Sequence, residues 1–309
     1  MIPDRHERLE GGLLGLLIGD ALGVPYEFLD AEEIPALPDI EMMPPANFPH
    51  KSAAPNGTWS DDGAQALCLL SSLLDCGGLD LDDFGQRLVS WLNGGYMAVD
   101  ARPFDVGTQT SEALTLFKAG VPAEESGLKG ERNNGNGSLM RVLPLALLWV
   151  GDDESLVTAA HRQSLITHAH PRSQVCCALY CLWARRELEG RPDAWEAAVA
   201  RLREIYGTSG TFRHELDNNI RPEEAPEKYG QGYVVSCLLT ARDACCEASY
   251  EAIVRRAISF GNDTDTTACV AGGIAGIRHG VQGIPERWWK ALRGKNILVP
   301  VLERMLARS

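Results

Sequence analysis

GGLLGLLIGDALG, residues 11–23, places Gly15, Gly19 and Gly23 at four-residue spacing inside an apolar run. Four residues are about one helical turn, so these glycines strip side chains from one helix face and let another backbone approach it. Glycine costs about 1 kcal/mol relative to alanine inside a helix, and a file of them therefore needs a packing reason. The late stretch ACVAGGIAGIRHG, residues 268–280, repeats the device with Ala268, Gly272, Gly276 and Gly280. The two helices are expected to pack against each other, joining both ends of the sequence in one core. That argues for a single domain over residues 1–309.

Between them, apolar periodicity predicts helices over about 10–23, 61–75, 81–94, 109–119, 138–150, 153–166, 172–188, 193–206, 232–246, 249–259, 265–279, 284–293 and 297–307. Alternating strand patterns are almost absent, so the fold class is all-α. Two irregular segments interrupt the helices. Glu27 to Ser60 is rich in proline (Pro35, Pro38, Pro44, Pro45, Pro49, Pro55), and Gly207 to Gly230 follows later. Such long segments in a compact domain are usually binding loops or lids.

A hydrophobic share of 45% with 23% charged residues is that of a globular protein. Against 29 Lys and Arg stand 42 Asp and Glu, a net −13, which disfavours direct binding to nucleic acid or an anionic membrane. An anionic ligand must then be held locally. Nine cysteines lack metal-knuckle or redox spacing, and Cys177 and Cys181 sit in an apolar helical stretch. They are expected to be buried thiols in a reducing compartment. Asp4, Glu7 and Glu10 precede the first apolar run, unlike a signal peptide, and no apolar run approaches the ~20 residues of a membrane span. The expectation is a cytoplasmic, soluble monomer.

Two clusters carry chemistry. In GTWSDDGAQALCLL, Ser60 has the form of a helix N-cap, and Asp61 and Asp62 fall in the first turn, where carboxylates interact well with the helix dipole. Three hard oxygen ligands at one helix start would also suit Mg²⁺ or Mn²⁺. In SFGNDTDTTACVAGG, Asp263 and Asp265 again open an apolar helix, and Thr266 adds a hydroxyl; the closing glutamate of a calcium loop is missing. Each cluster alone reads as a capped helix start. Brought together, four carboxylates would repel one another unless a cation neutralised them.

GDALGVPYEF at residues 19–28, SDDG at 60–63 and GNDTDTTA at 261–268 resemble the ADP-ribosylglycohydrolase family. DVGTQT at 105–110, NGNGSLMR at 134–141, THAHP at 167–171 and GQGYVVSCLLTA at 230–241 fall between them in the family's order. The resemblance implies an orthogonal all-α fold with two divalent cations, Mg²⁺ or Mn²⁺, at the base of a cleft. By position it makes Ser60, Asp61, Asp62, Asp263, Asp265 and Thr266 the metal ligands and Glu27 the acidic residue beside them. Two departures stand out: the family's Thr-Asp-Asp-Thr is Ser60-Asp61-Asp62-Gly63 here, and its Gly-Gly-Asp is Gly261-Asn262-Asp263. Gly63 lacks a side chain that would support the first metal.

The glycine-bearing loops read alone as turns, but glycine also exposes backbone N–H groups to phosphate. With the resemblance, Asp105, Gly107, Thr108, Gly135, Asn136, Gly137, Ser138 and His168 become candidate contacts to an ADP-ribose ligand. Arg141 could meet a phosphate or a neighbouring acid, and His170 reads as structural. The implied reaction is hydrolysis of the bond between C1 of the distal ribose of ADP-ribose and a protein side chain, arginine favoured. Asp62 or Glu27 would take the proton of water, and Asp61 would assist the leaving group. The partner is an ADP-ribosylated protein or another ADP-ribose conjugate. Two alternatives are a non-catalytic ADP-ribose-binding or crystallin-like member, and a dinuclear metallophosphohydrolase acting on a nucleotide.

Overall fold

The structure is a computed structural model that describes residues 3–45, 48 and 54–308; Pro49 of the proline-rich segment lies outside them. Helix α1, Arg5–Gly23, starts ahead of the expected position near residue 10. The reason is a capping box. Asp4 accepts from the Glu7 backbone N–H at 2.8 Å, and Glu7 accepts from that of Asp4 at 2.9 Å, so two donors of the first turn are satisfied reciprocally.

The glycine file performs the role its spacing predicts. Helix α12, Thr264–His279, runs antiparallel to α1 in the most extensive interhelical contact of the fold. A Cβ added at Gly11 would lie 2.3 Å from the Gly276 carbonyl oxygen, one at Gly15 2.3 Å from that of Gly272, and one at Gly19 2.1 Å from that of Ala268. Each step of four along α1 is thus matched by a step of four back along α12. Tyr250 donates its hydroxyl to the Gly15 carbonyl and Tyr180 donates to that of Val270, tying each helix to a neighbour.

Around this pair stand α2 (Asp61–Cys76), α3 (Leu81–Gly94), α4 (Thr108–Lys118), α5 (Leu143–Leu148), α6 (Asp153–Leu165) and α7 (Pro171–Leu188). Next come α8 (Ala194–Tyr206), α9 (Thr211–His214), α10 (Val234–Ala244), α11 (Tyr250–Ile258), α13 (Glu286–Ala291) and α14 (Lys295–Leu306). Among the described residues there is no strand, only two isolated bridges, so the class is all-α. One apolar cluster runs from Leu9 to Met305, so helices from both ends of the chain contribute to the same core.

Three expectations need correction. The helix expected over 138–150 is a series of turns followed by the short α5, because Pro144 fits only the first turn of a helix. The segment 207–230 is not irregular throughout, since it holds α9 and a π-helical turn at Glu215–Ile220. The described part of the proline-rich segment is tied down against α11: Arg255 donates to the Ile40 and Pro38 carbonyls, and Tyr26 exchanges hydrogen bonds with the Glu41 backbone. All nine cysteines are free thiols, with Cys177 and Cys181 buried. No helix among the described residues is long and apolar enough to cross a membrane.

Candidate active site

The tight α1–α12 pairing delivers the chain leaving α1 onto the start of α12. A Cβ at Gly23 would fall 2.4 Å from Asp265 Cα, and the Thr264 hydroxyl donates to the Gly23 carbonyl at 2.8 Å. Glu27, three residues beyond Val24 in a 3-10 turn, therefore stands beside the second acidic cluster. The first cluster is positioned by Asp20, whose fully buried carboxylate accepts from the backbone N–H groups of Ser60 at 2.9 Å and Gly63 at 2.8 Å. Thr266 then donates to Asp62 Oδ1 at 3.4 Å, joining the two clusters directly.

This geometry revises the reading of Gly63. A Cβ there would meet Asp20 Oδ2 at 2.9 Å and Leu17 Cδ2 at 2.6 Å. The space of a supporting side chain is occupied by Asp20, whose carboxylate fixes the turn that presents Asp61 and Asp62. Ser60 does cap α2, accepting from the Asp62 N–H at 3.3 Å, and its hydroxyl also bonds the Asp20 carboxylate. Ser60 does not line the cleft.

The starts of α2, α4 and α12 open onto one cleft of about 530 Å³, within the range of small-molecule sites. Glu27, Asp61, Asp62, Asp105 and Asp263 line it, with no lysine or arginine among the described lining residues. Carboxylate oxygens of Glu27, Asp105 and Asp265 lie within 4.8 Å of one another, which brings Asp105, expected as a ligand contact, into the acidic group itself. Asp62 Oδ2 and Asp265 Oδ2 are buried without any hydrogen-bond partner. Buried carboxylate oxygens that no protein donor satisfies are costly, and hard oxygen donors are what Mg²⁺ or Mn²⁺ takes, so these residues fit such a cation.

Burial first, and then the neighbouring carboxylates, hold Asp61, Asp62 and Asp265 well above the usual carboxylate range. Glu27 is pushed up to about 9 by burial and by Asp105 and Asp263, while burial and Asp263 raise Asp105 to about 6 against the lowering effect of its hydrogen bond with Glu27. A carboxyl whose pKa rises on folding keeps a proton that the unfolded chain has released. Its stabilising effect is complete below the unfolded value near 4 and is lost as pH rises through the folded value. Without divalent cation, the melting temperature should therefore fall between about pH 5 and pH 9, through the Asp105 and Glu27 transitions. Saturating Mn²⁺ should flatten that fall in a thermal-shift series; an identical slope with and without it would speak against cation binding here.

The opposite wall comes from two loops that bridge at Gly135 and Tyr233, with Asn136 N–H donating to the Gly232 carbonyl at 3.0 Å. Asn136 Nδ2 donates to Asp263 Oδ2 at 2.8 Å, so this candidate ligand contact supports the second cluster. Gly107, Thr108, Gly135, Gly137 and His168 line the cleft. The His168 ring crowds both glycines: a Cβ at Gly137 would lie 2.8 Å from its Cε1, and one at Gly135 3.3 Å from its Nε2. Ser138 is a correction, because its buried hydroxyl bonds Ser164 and Cys177 and does not line the cleft. Arg141 pairs with no acid among the described residues; it is fully buried on Gln65, Gln163 and Thr167. His170 is structural, capping α7 through the Arg172 N–H.

Sequence reasoning assigned no role to Phe28, Gln109, Met140 or Asn262, all of which line the cleft. Asn262 is informative. Its carbonyl accepts from Phe28 N–H at 2.7 Å and its N–H donates to the Leu29 carbonyl at 2.6 Å, clamping the Glu27 turn to the second cluster. It does so at φ +60, a left-handed conformation that asparagine tolerates best after glycine, so the departure from Gly-Gly-Asp preserves the backbone. Asn262→Val should cost about 1–2 kcal/mol in denaturant unfolding, and Asn262→Gly should cost little. Equal losses in both would show that the side chain, not the backbone angle, matters.

Acidic groups gathered at converging helix starts in an all-α protein define an enzyme-type cleft, and comparisons with known proteins specify the class. The family model described as ADP-ribosylglycohydrolase matches residues 1–309. The ADP-ribosylarginine hydrolase Tri1 of Pseudomonas putida is 30% identical over 292 residues, covering 91% of this chain and 73% of that protein. The ADP-ribosyl-[dinitrogen reductase] glycohydrolase of Rhodospirillum rubrum is 27% identical over 300 residues, covering 94% of this chain and 92% of its own. A solved structure titled ADP-ribosylglycohydrolase-related protein complex superposes with a TM-score of 0.77 at 31% identity, covering 99% of both chains. The chain belongs to the ADP-ribosylglycohydrolase family. It is accordingly an enzyme that hydrolyses glycosidic bonds.

Proposed function

We propose that the protein removes ADP-ribose from arginine side chains of modified proteins, cleaving the bond to C1 of the distal ribose in a reaction that depends on Mg²⁺ or Mn²⁺. The observation that carries this reading is the pair of buried, unpartnered oxygens Asp62 Oδ2 and Asp265 Oδ2: Asp62 lines the cleft, and Asp265 lies behind its wall, grouped with the lining carboxylates Glu27 and Asp105. Asp61, Asp62, Asp263, Asp265 and Thr266 would hold the cations. When bound, the cations supply positive charge that orients the ribose hydroxyls and offsets the acidity of the cleft.

The residues of the chain do the rest. Glu27 and Asp105 share a hydrogen bond, and the pair can accept a proton from the attacking water. Asp61, fixed by a 2.9 Å bond from Gln65 Nε2, would assist the departing nitrogen. Five acidic side chains with no lysine or arginine among the described lining residues favour a guanidinium leaving group over a neutral hydroxyl. With no lysine or arginine at hand, the diphosphate would meet backbone N–H groups of the Gly107 and Gly135–Gly137 loops and the start of α4.

The test is product analysis after incubation with arginine-ADP-ribosylated and serine-ADP-ribosylated protein, with and without chelator. Free ADP-ribose from the arginine conjugate, abolished by chelator, is the expected result. Release of inorganic phosphate from a nucleotide, or no product with tight ADP-ribose binding, would replace this reading with a phosphohydrolase or a binding protein.

A further inference from the structure

Arg141 is a guanidinium with no exposed surface and, among the described residues, no carboxylate partner, placed behind the cleft. Its hydrogen bonds reach toward both walls. Nη1 donates to Gln65 Oε1 at 2.8 Å, and Gln65 Nε2 donates to Asp61 Oδ2 at 2.9 Å. Nη2 donates to Thr167 Oγ1 at 2.8 Å, and Thr167 Oγ1 lies 2.8 Å from His168 Nδ1.

Arginine can only donate, and that fixes the polarity of each arm. On one side, Gln65 must turn its carbonyl to Arg141 and its amide to Asp61. On the other, Thr167 Oγ1 accepts from Arg141, and among the described residues His168 Nδ1 is the hydrogen-bonding neighbour that can take its own proton. A neutral imidazole whose Nδ1 accepts carries its proton on Nε2. Nε2 is the atom directed at the Gly135–Gly137 loop, 3.3 Å and 3.2 Å from where Cβ atoms on those two glycines would stand.

We propose that Arg141 and Thr167 are positioning residues that set His168 as the Nε2–H tautomer, a fixed hydrogen-bond donor to an oxygen of the ADP-ribose ligand. The ligand half of this statement rests on the function proposed above; the tautomer half does not. Burial and the nearby Arg141 charge hold the His168 pKa down to about 3, so the ring stays neutral across the working range and acts as a donor without exchanging its proton. The same guanidinium holds Asp61 in place through Gln65, so one buried charge orients groups on both sides of the cleft.

The test is ¹⁵N NMR of the histidine side chains in the full-length, ligand-free protein, with the His168 signals assigned from a His168→Gln variant, together with titration of ADP-ribose. The wild type should show a protonated Nε2 and an unprotonated, hydrogen-bonded Nδ1 at His168. Thr167→Val, which keeps the shape and removes the hydroxyl, should shift the ring toward a tautomer mixture and weaken ADP-ribose binding about tenfold. Thr167→Ser should restore both. A wild-type ring protonated on Nδ1, or a Thr167→Val protein with unchanged tautomer and affinity, would overturn the proposal. The expected tautomers in a protein that binds no ADP-ribose would overturn the functional reading and leave the Arg141–Thr167–His168 assignment standing.

Discussion

On the function proposed above, Asp265→Asn is expected to lower turnover of arginine-ADP-ribosylated protein by roughly 10²–10³-fold, the loss typical of removing one charge-stabilising group from an active site. The same change should stabilise the cation-free protein at pH 8 by about 1–3 kcal/mol, since replacing buried charge by a neutral isostere is often stabilising. Both effects have one origin. Asp265 Oδ1 accepts from the Thr266 N–H at 2.9 Å and can still do so in the amide. Oδ2 is buried without a partner, and the Asp265 carboxylate stands with those of Glu27 and Asp105, where the neutral amide relieves the repulsion among three acids. Loss of activity with gain of stability marks a residue kept for chemistry. The cation-induced rise in melting temperature should shrink in the variant. Lower stability together with a full cation response would assign Asp265 a structural role.

The second large effect is one of backbone packing, a helical turn from the acidic clusters. Gly19→Ala should destabilise the protein by about 3 kcal/mol or more, at the upper end of overpacking costs. The added Cβ would stand 2.1 Å from the Ala268 carbonyl oxygen and 2.7 Å from its carbon, both backbone atoms of α12 that no rotamer change can move. The helices would have to separate, and the start of α12 carrying Asp263 and Asp265 would move with them. Gly94→Ala, at the end of α3 with nothing within 4 Å, serves as the control and should be neutral or gain up to about 1 kcal/mol. Denaturant unfolding of the two variants checks the contrast. Equal behaviour would remove the close α1–α12 approach as the basis of the fold.

That approach was legible in the sequence because spacing alone carries it. A glycine every four residues in two apolar stretches names the face, and the pairing brings the clusters at residues 60–62 and 263–266 to one place. Less was legible where the deciding partner is distant or is backbone. Asp20 reads as an acid interrupting an apolar run, yet its carboxylate is the anchor for the N–H groups of Ser60 and Gly63 forty residues on. Ser138 shares a glycine-rich loop with Gly135 and Gly137, but the chain turns there and buries its hydroxyl against Ser164. Asp105 belongs with Glu27 and Asp265 through a loop whose path the local sequence does not specify; its own φ of +54 is one of the turns that takes it there. The early start of α1 could have been read, since Asp4 and Glu7 have the spacing of a capping box.

Whether the two acidic clusters act as one cation site is decided most directly by anomalous diffraction from crystals soaked in Mn²⁺. Manganese peaks are expected in the cleft, within bonding distance of the Asp62 and Asp265 oxygens that have no protein partner. Crystals with no anomalous peak there, or with manganese bound only elsewhere on the acidic surface, would contradict the assignment.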